Sequence, residues 1–226
     1  MAFADAKETW NRRFAGDAFL FGSEPNAWLR EHAGVLPPGS RVLCVADGEG
    51  RNSVFLAKLG HRVEAFDIAP NAVAKAQAFA AREGVQVGYT LADCDSYAWP
   101  TWTEGVPGRS PARSPEGAFD AVVAIFVQFA DPPLRQRLFA NMVRALKPGG
   151  LLLLQGYTPK QLEYRTGGPP ILEHLYTEAM LCEAFAGSAE IIELSEYEAE
   201  IHEGTGHSGR SALVGMVARR PVVPAS

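Results

Sequence analysis

The chain has 226 residues, of which 47% are hydrophobic and 21% charged, and its formal net charge at pH 7 is −5. This length fits one sizeable core and leaves little room for a second, so a single domain over residues 1–226 is expected. The acidic balance disfavours a nucleic-acid surface, because such a surface needs a basic patch to neutralise phosphates.

Three cysteines without framework spacing favour neither a disulfide scaffold nor a metal site. No apolar run approaches the roughly 18 residues of a membrane span, and the first residues do not resemble a secretion signal. We therefore expect a soluble, cytoplasmic protein without a bound metal.

Strands and helices alternate along the middle of the chain, which is typical of a parallel sheet with helices on both faces. Apolar runs predict strands at residues 41–45, 62–66, 86–90, 119–126 and 150–156. Helical periodicity predicts helices at residues 51–59, 70–83, 132–146 and 177–185. Two long segments, 190–202 and 210–219, follow and are joined by a glycine-rich link. The expected fold is therefore α/β and doubly wound.

Residues 99–117 interrupt this alternation, because they are rich in proline and glycine and lack apolar periodicity. We interpret them as a loop insertion. It is either a mobile surface loop or a lid, and in the second case Trp99 and Trp102 would contact a ligand.

The run VLCVADGEGRN, residues 42–52, predicts a strand that breaks into a glycine turn and continues as a helix. Gly48 and Gly50 permit a tight backbone there. The free N–H groups at the start of a helix attract the electron-rich parts of a ligand. The turn is compatible with a nucleotide site, although many α/β proteins carry such turns with nothing bound.

Asp67 ends the second predicted strand and lies 17 positions after Gly50. A carboxylate at this spacing is suited to accept both hydroxyls of a ribose. An alternative role is the N-cap of the helix that begins near Pro70.

Five blocks together resemble the class I S-adenosylmethionine-dependent methyltransferases in order and spacing. They are the glycine turn, Asp67, ADCD at residues 92–95, FDAVVAIFVQF at 119–129 and LKPGGLLLLQGY at 146–157. The resemblance implies a Rossmann-like, seven-stranded, mostly parallel sheet whose C-terminal strand is antiparallel. It also implies S-adenosylmethionine as the cofactor.

Blocks near both ends of the chain are similar to a narrower branch, the small bacterial enzymes related to tellurite-resistance and thiopurine methyltransferases. They lie at residues 10–14, 19–29, 156–170 and 202–214. In this branch, residues 1–35 would form a cover over the cofactor. Trp10 would then contact the cofactor, whereas the alternative is ordinary packing against the sheet edge.

The family motif implies cofactor contacts at matching positions of this chain. The turn would approach the methionine part, Asp67 the ribose, and Asp93 the adenine amino group; Ile68 and Cys94 would flank the adenine. Ile125 and Phe126 would face the methyl group. The implied cofactor residues are Trp10, Ala46, Asp47, Gly48, Gly50, Asn52, Asp67, Ile68, Asp93, Cys94, Ile125 and Phe126.

Two positions depart from the wider class, which commonly has an acid at Cys44 and a glycine at Ala46. Cys44 is then expected to be a small core residue. The nearby Asp47 either takes over a polar contact with the cofactor or caps the following helix.

For the methyl acceptor, the predicted contacts are Phe126, Tyr157, Tyr164 and His207. Tyr157 ends the fifth predicted strand, and ligands of open α/β sheets bind at the carboxyl ends of strands. His207 lies in the glycine-rich link and is suited to bind or deprotonate an acceptor near neutral pH, the alternative being a structural turn residue. No residue is identified as catalytic.

The sequence thus favours a methyltransferase that transfers a methyl group to a small acceptor, a thiol or a chalcogen oxyanion, mainly by positioning. It is expected to act as a monomer or homodimer without nucleic-acid or membrane partners. One alternative is a non-catalytic module that binds S-adenosylmethionine. A nicotinamide-dependent oxidoreductase is a weaker alternative, because residues 51–53 lack the third glycine of the dinucleotide fingerprint.

Overall fold

The computed structural model describes residues 6–99 and 119–222. Its strands are β1 (Arg41–Val45), β2 (Arg62–Asp67), β3 (Val87–Leu91), β4 (Phe119–Ile125), β5 (Leu146–Tyr157), β6 (Glu190–Glu203) and β7 (His207–Arg219). Its α-helices are α1 (Ala6–Arg13), α2 (Ala27–His32), α3 (Arg51–Lys58), α4 (Pro70–Arg82), α5 (Pro132–Ala145), α6 (Gln161–Tyr164) and α7 (Glu178–Phe185). Short 3₁₀ turns cover Ala33–Val35 and Leu172–His174.

The described strands form one seven-stranded sheet in the order β3-β2-β1-β4-β5-β7-β6. The pairs β1–β2, β1–β4, β2–β3 and β4–β5 are parallel, and β7 runs antiparallel to both β5 and β6. The predicted fold, a doubly wound and mostly parallel sheet with an antiparallel C-terminal strand, is confirmed. The strand order reverses between β1 and β4, which is where open α/β sheets form a ligand crevice.

The central strands are covered on both faces, which explains their continuous apolar runs. Along β1, Val42 and Cys44 pack into the core that contains Trp28. Leu43 and Val45 point into the opposite core. Cys44 is only 2% exposed, in keeping with its expected place in the core. None of the helices in the described ranges is both long and apolar enough to span a bilayer.

Two strands begin earlier than their sequence patterns suggest. Residues 147–150 belong to β5 and do not close a helix, because Phe119 pairs with Leu146 before the register shifts. Lys147 reinforces this start, since its ammonium group lies 2.6 Å from Oδ1 of Asp120. β7 begins at His207, which shortens the glycine-rich link to residues 204–206.

The predicted insertion at 99–117 lies outside the described residues except for its first member, Trp99. The Trp99 indole N–H donates to the carbonyl of Cys94 at 2.8 Å. Its ring meets Phe66 edge to face, with centroids 5.5 Å apart. Trp99 therefore packs beside the end of β2.

Candidate functional site

A cavity of about 450 Å³ lies at the carboxyl ends of β1, β2, β4 and β5, beside the N-terminal segment. Eleven of the twelve predicted cofactor residues line it, and Gly50 is the exception. Three of the four predicted acceptor residues also line it, and Tyr164 is the exception. Positions far apart in the sequence therefore share one crevice at the topological switch point.

Gly50 serves the packing of α3 and does not line the cavity. It is the N-cap residue of α3 and has φ of +89°. A Cβ atom there would lie 2.8 Å from the Tyr89 hydroxyl and 2.9 Å from the Cβ of Ala76. The glycine is therefore required for the close approach of α3 to α4 and β3.

Two non-glycine residues in left-handed conformations follow the two strands at the switch point. Ala46 comes directly after β1 with φ of +48°, and Phe126 comes directly after β4 with φ of +56°. Such backbone costs about 1–3 kcal/mol and is held only by surrounding structure. Both residues line the cavity, so the strain is concentrated where the two strands open the crevice.

Asp67 ties the end of β2 to the glycine turn. Its Oδ2 accepts the backbone N–H of Gly48 at 2.9 Å, and its Oδ1 accepts that of Ala69 at 2.8 Å. The N-cap of α4 is Ala69, which makes no side-chain cap, so the alternative N-cap role of Asp67 is wrong. Burial raises the pKa of Asp67, and the backbone N–H bonds oppose this rise.

Asp47 carries a buried oxygen without a partner. The Ser53 hydroxyl donates to Oδ2, whereas Oδ1 has no hydrogen-bond partner in the described part of the chain. Burial raises the pKa of Asp47 to about 7, against the hydrogen bond from Ser53 and with the help of the Asp67 charge. A buried acceptor of this kind is costly unless a ligand satisfies it.

Asp93, in the turn after β3, is the third carboxylate that lines the cavity, and we call Asp47, Asp67 and Asp93 together the acidic wall. Oδ1 of Asp93 accepts the backbone N–H groups of Asp95 at 2.8 Å and Ser96 at 2.6 Å. Cys94 and Ile68 line the cavity on the same side. Burial raises the pKa of Cys94 to about 12, so its thiol stays protonated and packs as an apolar group.

Within the described part of the predicted cover, residues 6–35, the cavity is lined by Ala6, Trp10, Arg13, Phe14 and Phe21. Trp10 stacks on Phe14 with ring centroids 5.8 Å apart, and the guanidinium of Arg13 lies 4.5 Å from the Trp10 ring centroid. Trp10 packs in the cluster that contains Phe14 and Ala69, near the start of α4. The alternative, packing of Trp10 against the sheet edge, is therefore not found.

Several hydrogen bonds tether this segment to the rest of the domain, and two of them involve backbone N–H groups and side chains near the cavity. The Leu20 backbone N–H donates to Oε2 of Glu49 at 2.8 Å, and the Asn71 backbone N–H donates to Oδ1 of Asn11 at 2.8 Å. The Leu20–Glu49 and Asn71–Asn11 hydrogen bonds both join a residue before β1 to a residue after it, so the segment before β1 is part of the folded domain.

A buried ion pair lies beside His207; its Arg51 lines the cavity, whereas its Glu203 does not. Nη2 of Arg51 donates to Oε2 of Glu203 at 2.7 Å, and Nδ2 of Asn26 donates to Oε1 at 2.9 Å. Burial disfavours the charge on Glu203, but the contacts with His207 and Arg51 outweigh it and hold its pKa at about 2. Sequence reasoning missed Glu203 and Arg51 as functional candidates, although they lie in the blocks at 202–214 and 42–52, because only the fold brings these two blocks together.

Aromatic rings close the end of the cavity at His207. Phe126 stacks on Tyr157 with centroids 4.6 Å apart, and His207 lies 4.7 Å from Phe126 and 4.5 Å from Phe21. Gln128 fixes the end of β5, because its Oε1 accepts the Tyr157 N–H and its Nε2 donates to the Tyr157 carbonyl. Tyr157 and His207 are thus brought together as predicted.

Tyr164 lies away from the cavity, contrary to its predicted role. Its hydroxyl donates to Oε2 of Glu198 at 2.8 Å on the exposed side of β6. Lys160 and Arg210 pair with the same carboxylate. This surface network fixes the orientation of Tyr164, and the loop sequence gave no sign of it.

A family described as "Methyltransferase domain" matches residues 42–150 of the chain. The chain is 34% identical over 155 residues to a ribosomal protein L11 methyltransferase of Ralstonia nicotianae. These aligned residues are 66% of this chain and 43% of that protein. The chain spans less than half the length of the curated relatives compared with it.

Solved structures share the fold at low sequence identity. One, from work titled "Conversion of a Disulfide Bond into a Thioacetal Group during Echinomycin Biosynthesis", has a TM-score of 0.73 at 18% identity and covers 95% of this chain and 91% of that chain. Another, the N-methyltransferase NodS of Bradyrhizobium japonicum with S-adenosyl-L-homocysteine, has a TM-score of 0.65 at 16% identity and covers 95% and 98%.

Proposed function

We propose that this chain, whose residues 42–150 match a family described as "Methyltransferase domain", is a class I S-adenosylmethionine-dependent enzyme that methylates a small nucleophilic acceptor. The observation that carries the proposal is the single cavity that extends from the three-carboxylate wall to the Tyr157–His207 end. Such a cavity holds a donor and an acceptor end to end.

The acidic wall fits a cationic cofactor. S-adenosylmethionine carries a sulfonium and an ammonium group, and the unpartnered Oδ1 of Asp47 is an acceptor for a positively charged donor. Asp67 retains capacity for ribose hydroxyls, because a carboxylate offers about four lone-pair sites and two are used by Gly48 and Ala69. Asp93, Ile68 and Cys94 would hold the adenine.

The cofactor supplies an activated methyl group, so the residues of this chain mainly orient the reactants and exclude water. Trp10, Phe14 and Phe21 line the outer side of the cavity with apolar rings. Ile125 and Phe126 lie between the acidic wall and Tyr157, which is the place of transfer in this arrangement. The strained backbone of Phe126 fixes that place.

The acceptor we propose is a thiol or a chalcogen oxyanion. The resemblance of both chain ends to the tellurite-resistance and thiopurine methyltransferase branch supports this class, as does an acceptor end walled by stacked rings. A protein with net charge −5 is not suited to bind nucleic acid, which supports a small-molecule acceptor. The proposed oligomeric state is a monomer or a homodimer.

Calorimetric titration with S-adenosylmethionine and, in parallel, NADH tests the cofactor. We expect saturable binding of the first ligand only. Asp67→Asn should weaken it about 10–100-fold, because a charge-assisted hydrogen bond contributes about 1.5–3 kcal/mol. Asp17→Asn, at an exposed aspartate, is the matched control.

Binding of NADH alone, or of neither ligand, would overturn the proposal. Binding of S-adenosylmethionine without turnover in a screen of thiols and of selenium and tellurium oxyanions would instead identify a non-catalytic binding module.

A further inference from the structure

His207 begins β7 directly across the turn from Glu203, the last residue of β6. Nδ1 of His207 lies 3.5 Å from Oε2 of Glu203, and both side chains are about nine-tenths buried. This separation is an ion-pair contact and not a hydrogen bond, since Nδ1 has no hydrogen-bond partner in the described part of the chain. Contacts of catalytic groups are often this long in structures without ligands.

The ionisation of the pair fixes the tautomer of the imidazole. Burial lowers the pKa of His207, against the opposing effect of Glu203 and with the help of the Arg51 and Arg13 charges. His207 is therefore neutral near pH 7 and carries one ring proton. Because Glu203 is ionised, that proton belongs on Nδ1, and the lone pair lies on Nε2.

The Nε2 side of the ring lies beside Gly167, which lines the cavity together with His207 and Tyr157. A Cβ atom on Gly167 would lie 3.0 Å from Cδ2 of His207, the ring atom next to Nε2, and 2.7 Å from the Tyr157 hydroxyl oxygen. The hydroxyl is buried and has no hydrogen-bond partner among the described residues. Gly167 therefore packs closely against both side chains, and a ligand reaches them from the cavity that they line.

We propose that His207 is the general base of the reaction, that Glu203 positions it, and that the acceptor is an uncharged thiol carried on an apolar group. This inference rests on the proposed function and deepens it. The S–H group lies in the cavity beside Nε2 of His207, with the Tyr157 hydroxyl as its second polar contact. The stacked rings of Phe126 and Tyr157 hold the apolar part.

The proton and the electron pairs balance in this step. The acceptor S–H proton passes to Nε2, and the electron pair left on the acceptor sulfur forms the new bond to the methyl carbon. The bond from that carbon to the sulfonium breaks, and its electron pair stays on the departing sulfur. The imidazolium formed is stabilised by Glu203 and afterwards loses the proton to water.

The chemistry of the pair favours a thiol over an oxyanion. A chalcogen oxyanion already has a nucleophilic lone pair and needs no base, and the nearby Arg51 is already engaged with Glu203 and the Phe21 carbonyl. A thiol with a pKa of about 8.5 is close enough to histidine for efficient proton transfer, whereas an alcohol is far more basic once ionised.

Two probe thiols separate a base from a structural residue. Benzyl mercaptan is protonated at neutral pH, and 4-nitrothiophenol is already ionised. In His207→Gln we expect kcat/KM for benzyl mercaptan to fall about 100-fold, a typical general-base effect. The value for 4-nitrothiophenol should remain within about threefold, because that thiol needs no base. His202→Gln, at an exposed histidine five positions earlier, is the control.

The pH profile tests the role of Glu203. The groups facing His207 are Glu203 of β6, Arg51 of α3, Arg13 of α1 and Tyr157 of β5. Because Glu203 favours the protonated imidazole, Glu203→Gln should shift the acidic limb of kcat/KM for benzyl mercaptan to lower pH. Direct ¹³C NMR titration of His207 in the same variant should show the same shift, and Glu200→Gln should show none.

A binding measurement tests the thiol site without turnover. The methyl group in Gly167→Ala should displace the Tyr157 hydroxyl and the His207 ring, so saturable binding of benzyl mercaptan should be lost while calorimetric binding of S-adenosylmethionine is kept. Gly34→Ala, where an added Cβ meets nothing within 4 Å, is the control.

Equal losses with both thiols in His207→Gln would overturn the inference. So would turnover of chalcogen oxyanions alone, or cofactor binding without turnover of either thiol. A wild-type protein that does not bind S-adenosylmethionine would overturn the proposed function itself, and the two failures are therefore distinguishable.

Discussion

The two ends of the cavity are built in different ways. At the acidic wall the contacts join residues that are close in the chain, since Asp93 bonds to Asp95 and Ser96, and Asp67 bonds to Ala69 and to Gly48, 19 positions away. At the acceptor end the contacts are distant: Arg51 and Glu203 are 152 positions apart, and Asn26 and Glu203 are 177 apart. The acidic wall follows from strand-end turns, whereas the acceptor end exists only in the assembled fold.

This difference has a thermodynamic consequence. Local turns satisfy carboxylates at little cost, but a buried ion pair depends on both partners being in place. Damage at the acceptor end should therefore reduce the stability of the whole fold, and damage at the acidic wall should mainly change binding and pH dependence.

The largest expected effect breaks the distant pair. Glu203→Leu leaves the buried Arg51 guanidinium without its carboxylate and should lower the free energy of unfolding by about 3–5 kcal/mol. Adding Arg51→Met should recover most of this loss, because the unpaired charge is then removed. Urea denaturation of the two single variants and the double variant measures the coupling, with Glu200→Leu as an exposed control. Additive losses would contradict this interpretation.

A smaller effect concerns the acidic wall. The Asp47 carboxyl keeps its proton up to about pH 7 in the folded chain, whereas an ordinary aspartate ionises near pH 4. The unfolded chain thus binds fewer protons between these values, so the free energy of unfolding should fall as pH rises through this window. One such group gives a slope of at most about 1.4 kcal/mol per pH unit.

Asp47→Asn should flatten this slope, and denaturation at several pH values between 4 and 8 checks it. Asp67 has a raised pKa and acts in the same direction, so some slope should remain. Asp17→Asn should leave the slope of the parent protein unchanged, and an unchanged slope in Asp47→Asn would remove Asp47 as its source.

The smallest expected effect compares two tyrosines. Tyr157→Phe removes a buried hydroxyl without a partner and should change the free energy of unfolding by less than about 1 kcal/mol, upward if at all. Tyr197→Phe instead removes the Tyr197 hydroxyl, which accepts a hydrogen bond from the Gln155 amide at 2.5 Å. The loss of this acceptor should lower the free energy of unfolding by about 1 kcal/mol. Thermal denaturation of both variants decides whether the Tyr157 hydroxyl is reserved for a ligand; a clear loss in Tyr157→Phe would show a structural role.

Sequence periodicity predicted the parallel core well, because strands buried on both faces are continuous apolar runs and the helices between them are punctuated by glycine and proline. The starts of β5 and β7 were predicted late. Residues 147–150 contain proline and two glycines, which indicate a turn locally, but pairing of Phe119 with Leu146 extends the strand through them.

The candidate site was predictable where a residue follows a strand. Asp67, Asp93, Phe126 and Tyr157 all lie at strand ends, and the parallel sheet gathers such positions at one edge. Gly50 was misplaced, because a glycine that permits close helix packing has the same local pattern as one that approaches a ligand. Tyr164 was misplaced, because the sequence does not show that Glu198 holds its hydroxyl at the surface.

The sequence by itself determined the α/β alternation, the glycine turn and the acidic residues at the strand ends, since these depend on backbone propensity and on neighbours close in the chain. Only the tertiary structure decided that Arg51, Glu203 and His207 meet beside Tyr157. Their contact requires the antiparallel β6–β7 pair to bring the end of the chain against the first helix of the sheet domain, and no local pattern of residues encodes that distance.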